Sequence, residues 1–319
     1  MPLSAVDVDR FQDAAPRLTA IAYRMLGSAG EAEDAVQETF LRWQGADVGR
    51  IEVPEAWLTK VLTNICLNQL SSARRRRETY VGTWLPEPLL AGDPMLGPAD
   101  TAEQRESVSY AVLVLLERLS PHERAVYVLR EAFDHSHREI AEMLDVSEAS
   151  SQQTYHRAKK RVAEGKARTD IDEAAARQIV EEFLAAATSG RTEPFDNKTL
   201  DGVWSSYLRS VGDGGGTVPA RAKGFLGATA VATFLRGLFK PGGATRNYVG
   251  AATEVYATTA NGGPAVVAVA DGRVVGITCL EVTPDGIAAV HNQVNPDKLQ
   301  RATAQWAAAA GSVAPLAVL

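Results

Sequence analysis

The spacing of apolar residues changes once along this chain, and the change divides what it can fold into. From residue 10 to 78 they recur at helical spacing. Leu18, Ile21, Ala22, Met25 and Leu26 form one stripe, Val36, Phe40 and Trp43 a second, and Trp57, Val61 and Ile65 a third. Gly27 to Gly30 and the 45–54 stretch separate the helices, with Pro54 at a first-turn position where its missing N–H costs nothing. Residues 79–104 hold four prolines and three glycines and read as a linker. Helical spacing resumes over 105–168, through Leu113, Leu116, Leu119, Val126 and Leu129, and again over 171–189. Beyond residue 200 the texture is β-rich, with runs at 264–270, 273–283 and 286–294 and a hairpin-type turn at Pro284-Asp285-Gly286. The expected organisation is an all-α module over 1–78, a linker over 79–104, a second all-α module over 105–168, an α+β module over 171–299 and a tail over 300–319.

Composition narrows the class. With 319 residues, 45% of them hydrophobic, the chain builds several compact units and is not disordered. Its two cysteines, Cys66 and Cys279, cannot form a disulfide framework or a cysteine-rich metal site. The N-terminal segment carries early acids and lacks a basic-then-apolar signal pattern, and no run of 18 apolar residues occurs. A soluble cytoplasmic protein without a membrane partner is expected. The net charge of −6 means that nucleic-acid binding must rely on local basic clusters, and two exist, at Arg74–Arg77 and Arg157–Arg161.

Residues 136–162, SHREIAEMLDVSEASSQQTYHRAKKRV, have the pattern of a helix-turn-helix. Ile140, Ala141 and Leu144 would face inward, with small Ala141 permitting a close helix crossing. Asp145-Val146-Ser147 is the turn. Asp145 tolerates the left-handed conformation there, and Ser147 is placed to cap the second helix. In that helix Ser150, Gln152, Gln153 and His156 can reach base edges, while Arg157, Lys159, Lys160 and Arg161 can sit on phosphates. The competing reading is a helical hairpin with a solvated basic face, which would not need a polar first half followed by a basic second half.

The helix at 55–78 carries a polar stripe, Asn64, Asn68 and Ser71, on an otherwise apolar surface, and ends in Arg74, Arg75, Arg76 and Arg77. Such a stripe can read unstacked bases while the arginines supply charge for a nucleic-acid backbone. The ordinary alternative is that the arginines only complement the helix C-terminus.

Together, LTAIAYRMLGSAGEAEDAVQETFLRW (18–43), AWLTKVLTNICLNQLSSARRRRE (56–78) and the block from Leu116 to Val162 resemble extracytoplasmic-function sigma factors, initiation subunits of RNA polymerase. The resemblance implies a region 2 helical bundle, a region 4 helix-turn-helix, and two partners, core RNA polymerase and promoter DNA, with no cofactor. It implies that Glu31, Asp34, Gln37 and Glu38 face the polymerase clamp helices. It places Asn64, Asn68, Ser71 and the four arginines at the −10 element. Ser150, Gln152, Gln153 and His156 then read the −35 element, with Arg157, Lys159 and Lys160 on its phosphates. The family often has an aspartate where Asn68 stands and a basic residue where Ser71 or Gln152 stands. TWLPEP (83–88), DGGG (213–216) and NPDKL (295–299) resemble signatures of the subgroup with a fused C-terminal SnoaL-like domain, an α+β cone of helices over a curved sheet.

That domain has two readings. As an enzyme or small-molecule sensor it would use Asp213 and His291 as acid/base groups, with Trp204, Tyr207, Tyr248 and Tyr256 around an unidentified ligand. As an internal regulator, the favoured and non-enzymatic reading, it would touch region 2 or the linker. Trp84, Pro86 and Glu87 then meet Asp213, Asn295, Pro296, Asp297 and Lys298. Free linkers do not require tryptophan, so Trp84 is expected to carry the burial. A Lys298–Glu87 pair at the surface would add only ~0–1 kcal/mol.

Overall fold

Serines open most of the helices in the first half of the chain, because a side-chain oxygen at that position satisfies a backbone N–H the helix cannot. Ser4 caps α1 (Ala5–Leu26), Ser28 caps α2 (Ala29–Gly45) and Pro54 begins α3 (Pro54–Arg77). Ser109 caps α4 (Tyr110–Leu116), Ser120 caps α5 (Pro121–Glu131) and Ser136 caps α6 (His137–Leu144). Then come α7 (Glu148–Ala163) and α8 (Glu173–Thr188). The computed structural model describes residues 4–319 apart from 78–79, 81, 97–107, 164–172, 189–203, 219, 221–223, 241–242, 284–285 and 310–313. The Pro284-Asp285 part of the expected turn therefore lies outside the described residues.

The chain divides into two compact units, and the division is not the one its composition suggests. Unit 1 comprises Met1–Thr79 and Gly92–Lys166, and unit 2 comprises Tyr80–Ala91 and Ala167–Leu319. The two helical modules expected to be separate form one body, with α1 against α5 and α3 against both α5 and α6. The stretch read as a 79–104 linker is split instead. Its residues 80–91 belong to unit 2, because Leu85, Leu89 and Leu90 are buried there rather than solvated.

In unit 1 the core is built from Leu18, Ile21, Met25 and Leu26 of α1, Trp43 of α2, and Leu58, Leu62 and Ile65 of α3. The third stripe is thus displaced from the sequence reading. Trp57 and Val61 sit half-buried at its edge, while Leu58 and Leu62 point inward. Polar groups tie the two halves of the unit. The buried Arg124 of α5 donates to the Met25 carbonyl (2.8 Å) and pairs with Glu117 (2.7 Å). Phe133, after α5, lies against the guanidinium groups of Arg17 and Arg24, and its carbonyl accepts from Arg17 (3.2 Å). Burial lowers the Arg24 pKa to about 10, and its hydrogen bond to the Leu96 carbonyl (3.0 Å) compensates part of its lost hydration.

Unit 2 is built on one sheet of β1 (Trp204–Asp213), β2 (Phe225–Leu226), β3 (Glu254–Ala260), β4 (Gly263–Ala270), β5 (Arg273–Thr283), β6 (Gly286–Gln293) and β7 (Ala317–Val318). Their order is β2-β1-β6-β5-β4-β3-β7, with β1 and β6 parallel and the other pairs antiparallel. Asn261-Gly262 and Asp271-Gly272 turn the β3–β4 and β4–β5 hairpins, all four residues at positive φ, as two-residue hairpins require. One face of the sheet presents Leu208, Val255, Val266, Leu280 and Val290 to Val180, Phe183 and Leu184 of α8. Val231, Leu235 and Phe239 of α9 (Ala228–Phe239) complete that core. The short α10 (Ala244–Val249) follows α9. The stretch expected to be a tail folds instead, as α11 (Gln300–Ala309) and edge strand β7. Trp306 of α11 packs on Tyr256, and β7 pairs with β3, so both contribute to the unit's interior.

Candidate nucleic-acid interface and the anchored 80–91 segment

The helix-turn-helix forms as its residues dictate. Ser136 and Glu139 exchange hydrogen bonds in a capping box at the start of α6. Asp145 ends that helix at φ 52, and the Val146 N–H returns to the Ala141 carbonyl (3.0 Å). The Ser147 hydroxyl accepts from the Ser150 N–H (3.1 Å), starting α7. Ile140 and Ala141 are buried against Ser151, Ala158 and Val162, so α7 turns Ala149, Gln153, His156 and Lys160 fully outward. Gln152 is also exposed, with its amide on Glu148 (3.3 Å), and Ser150 is exposed at the side.

The basic residues of α7 do not all behave alike. Lys159 donates to Glu131 (3.1 Å) and to the Tyr155 hydroxyl (2.8 Å), and the latter bond foremost raises its pKa. Tyr155 itself donates to Glu131. Arg161 and Arg157 approach Glu123 at 2.6 and 3.8 Å. Burial works against ionised Glu123, but bonds from Ser120 and these two cations bring its carboxyl below the usual range. Lys160 has no such acid among the described residues. Of the cations that the sequence pattern places on phosphates, Lys160 is therefore the one with no acid beside it among the described residues, while Lys159 is already held by Glu131 and Tyr155.

On α3, Asn68 and Ser71 are exposed and Asn64 half-buried, outside the buried row Leu58, Leu62 and Ile65. The side chains of Arg74, Arg75, Arg76 and Arg77 lie outside the described residues. On α2, Asp34 and Gln37 are exposed and Glu38 pairs with Arg42 (2.5 Å), while Glu31 is half-buried in the capped first turn. Leu41, exposed one turn beyond Gln37, gives the acidic stripe an apolar end that charge pattern alone does not reveal.

In unit 2 the three short motifs converge. The Asp213 carboxylate, fully buried, accepts from Lys298 (2.7 Å), the Leu85 N–H (2.9 Å), the Gly215 N–H (3.0 Å) and the Tyr80 hydroxyl (2.5 Å). Burial pushes this carboxyl up, yet Lys298 and the donors around it hold it below its ordinary value. Burial, then the Asp213 bond, raises the Tyr80 pKa. Lys298 also donates to the Leu85 carbonyl (2.6 Å) and lies 3.8 Å from the centre of the Trp84 ring. Asn295 donates to Tyr80 (3.1 Å) and accepts from the Asp297 N–H (3.1 Å), starting the turn Pro296–Lys298. Gln293 donates to the Leu85 and Pro86 carbonyls (3.3 and 3.1 Å). The segment ends on the β3–β4 turn, where the Leu89 N–H meets Asn261 Oδ1 (3.0 Å). The glycines of DGGG are needed sterically. A Cβ on Gly214 would lie 1.9 Å from the Val218 carbonyl oxygen, and one on Gly215 2.5 Å from Asn295.

Three sequence expectations change here. Lys298 takes Asp213 as a buried partner, and Glu87 is itself buried rather than at the surface. Trp84 is half-buried under Lys298, and Leu85, Leu89 and Leu90 carry the burial assigned to it. The two acid/base candidates each have another charged group beside them. His291 approaches Glu281 (3.4 Å), which also approaches Arg209 (3.6 Å), while Asp213 is occupied by Lys298. Since Val290 faces the helices, neighbouring His291 points to the opposite side of the sheet. The four candidate aromatics are only partly described. Tyr248 is exposed, Tyr256 donates to Glu254 (2.7 Å), and the side chains of Trp204 and Tyr207 lie outside the described residues. Tyr80, Gln293 and Asn261 were missed, being isolated polar residues with no pattern in sequence.

Comparison with known proteins fits this geometry. Residues 11–76 match Sigma-70 region 2 and residues 109–162 match Sigma-70 region 4. The chain is 34% identical over 300 residues to the ECF RNA polymerase sigma factor SigJ of Mycobacterium tuberculosis (strain ATCC 25618 / H37Rv), covering 92% of this chain and 93% of that one. It is 31% identical over 291 residues to the probable ECF RNA polymerase sigma factor SigI of Mycobacterium tuberculosis (strain CDC 1551 / Oshkosh), covering 88% and 91%. The crystal structure of the M. tuberculosis extracytoplasmic function sigma factor SigJ superposes with a TM-score of 0.66 at 30% identity, over 91% of this chain and 97% of that one. No helix among the described residues is long and apolar enough to cross a membrane. With both sigma regions matched and nearly its full length shared with such relatives, the chain belongs to the extracytoplasmic-function sigma factors of RNA polymerase.

Proposed function

We propose that this sigma factor divides its work between three faces of unit 1 and is governed by unit 2 through the 80–91 segment. The acidic stripe Asp34, Gln37 and Glu38 of α2, ending in exposed Leu41, docks on core polymerase, with Glu31 at its capped end. The polar face of α3, Asn64, Asn68 and Ser71, meets the opened −10 strand, and Arg74–Arg77 extend that track. Gln152, Gln153 and His156 read base edges of the −35 duplex, with Ser150 beside them and Arg157 and Lys160 on its phosphates.

The regulatory part rests on one observation. The chain leaves unit 1 after Thr79, is held by unit 2 over Tyr80–Ala91, and re-enters unit 1 at Gly92. Unit 2 thus grips the connection between the two promoter readers, and it does so through Asp213, Lys298, Asn295 and Gln293. A regulatory, non-enzymatic role follows for unit 2, in keeping with His291 and Asp213 each being engaged elsewhere. Run-off transcription with core polymerase tests it. Lys298→Ala frees the connection and raises transcript yield by about 5-fold or more, the lower end of a typical coupling between sites. Unchanged yield, with a demonstrably released 80–91 segment, would refute the regulatory reading.

A further inference from the structure

Lys60 lies on α3 one turn before Asn64. At ~100° per residue, Lys60, Asn64, Asn68 and Ser71 fall within an arc of about 80°, so Lys60 continues the polar stripe. Its ammonium is not on nucleic acid. It donates to Asp145 Oδ1 (2.8 Å) and to the Glu142 carbonyl (2.8 Å), both at the C-terminal end of α6. That end offers a carboxylate oxygen together with a last-turn carbonyl carrying the negative end of the helix dipole. One charged and one partially negative oxygen side by side resemble the oxygens a phosphodiester presents to a lysine, which binds phosphate as a compact, flexible point charge. The Lys60 and Asp145 side chains stay 39% and 79% exposed, so the pair is reachable and exchangeable.

We propose that Lys60 is a further backbone contact for the opened promoter strand, held in the free protein by an α6 terminus that imitates phosphate. The inference rests on the α3 stripe being the strand-reading face. When a strand lies along that stripe, its phosphate replaces Asp145 and Glu142, and the turn of the helix-turn-helix leaves α3. The same exchange frees the turn on the −35 side, where the first helix of such a motif crosses the DNA backbone. Strand capture by α3 therefore favours release of the −35 reader. Exposed pairs of this type are weak, so the latch biases the equilibrium by only ~2–5-fold and does not block it.

The test is a double-mutant cycle on the full-length protein, with a mixed-sequence single-stranded 20-mer followed by fluorescence anisotropy across a salt series. Asp145→Asn keeps the left-handed turn and removes the charge. It tightens binding ~2–5-fold. Lys60→Ala weakens binding and lowers the log–log salt slope by about 0.7, one single-strand phosphate contact. In the Lys60→Ala background, Asp145→Asn gains nothing. An equal gain in both backgrounds would mean general charge repulsion at Asp145 and would overturn the latch. A normal salt slope for Lys60→Ala, with Asn68→Ala impaired, overturns the Lys60 contact while leaving the α3 face intact. If Asn64→Ala and Asn68→Ala are also without effect, the reading of α3 itself fails. Binding too weak to measure in the wild type, and not brought into range by Asp145→Asn, also counts against the latch.

Discussion

Asp213 concentrates more interactions than any other carboxylate described above, and its charge is what they share. Its folded-state pKa lies below the ordinary 3.8, burial being outweighed by Lys298 and the N–H and O–H donors. Between the lowered and the ordinary value the unfolded chain binds the extra proton, so stability rises with pH there. The anchor is thus intact above about pH 4 and weakens as pH falls through the lowered value. Lys298→Ala removes the cation and leaves burial opposed only by the Leu85, Gly215 and Tyr80 donors, costing about 3–5 kcal/mol and moving the loss to higher pH. Proteolysis within residues 80–91, followed against pH, reads this directly. Superimposable profiles for wild type and Lys298→Ala would show that Lys298 does not set the charge state of Asp213.

At the scale of elements, α7 separates sequence reading from charge. Gln153→Ala removes an outward amide and relaxes −35 discrimination by about 1–3 kcal/mol at one base pair. Lys160→Ala lowers the duplex salt slope by about 0.9 without changing preference. Lys159→Ala moves the slope far less, because Glu131 and Tyr155 already hold that ammonium. Salt-titrated binding to −35 duplexes distinguishes all three, and an equal slope change for Lys159 and Lys160 would void the assignment. The helix, its turn and its outward amides were legible in sequence, since capping, small-residue crossing and left-handed aspartate are local chemistry. The pairing of Lys159 was not, because Glu131 is 28 residues away and nothing local links them. The sheet shows the same division. Asn261-Gly262 is a strong hairpin signal whose first strand, β3, escaped notice, while the anchoring of residues 80–91 depends on contacts more than 120 residues apart. Trp84 drew the eye by its rarity, yet burial was decided by the leucines beside it.

For the whole molecule, the decisive fact is that both readers lie in one packed unit. At 1.5 Å per residue α3 is about 36 Å long, and α6 rests directly against it. Two elements centred ~25 base pairs apart are separated by about 85 Å along B-DNA at 3.4 Å per pair. Unit 1 as it stands cannot engage both, so it must open in the initiation complex. Fluorescent labels at exposed Asp13 on α1 and Ala163 on α7 therefore move apart when core polymerase and promoter DNA are added. A distance unchanged in an actively transcribing complex contradicts this.

The grip of unit 2 on residues 80–91 also orders events during synthesis. The ribosome completes both readers by Lys166, but Lys298, which closes the anchor, is made roughly 130 residues later. At ~5–20 residues per second that is about 7–26 s. Under the proposed regulatory role, every newly made molecule passes through an interval in which its readers exist and the anchor does not. Translation speed through 167–298, and any stall within it, then sets how long each copy lacks the anchor.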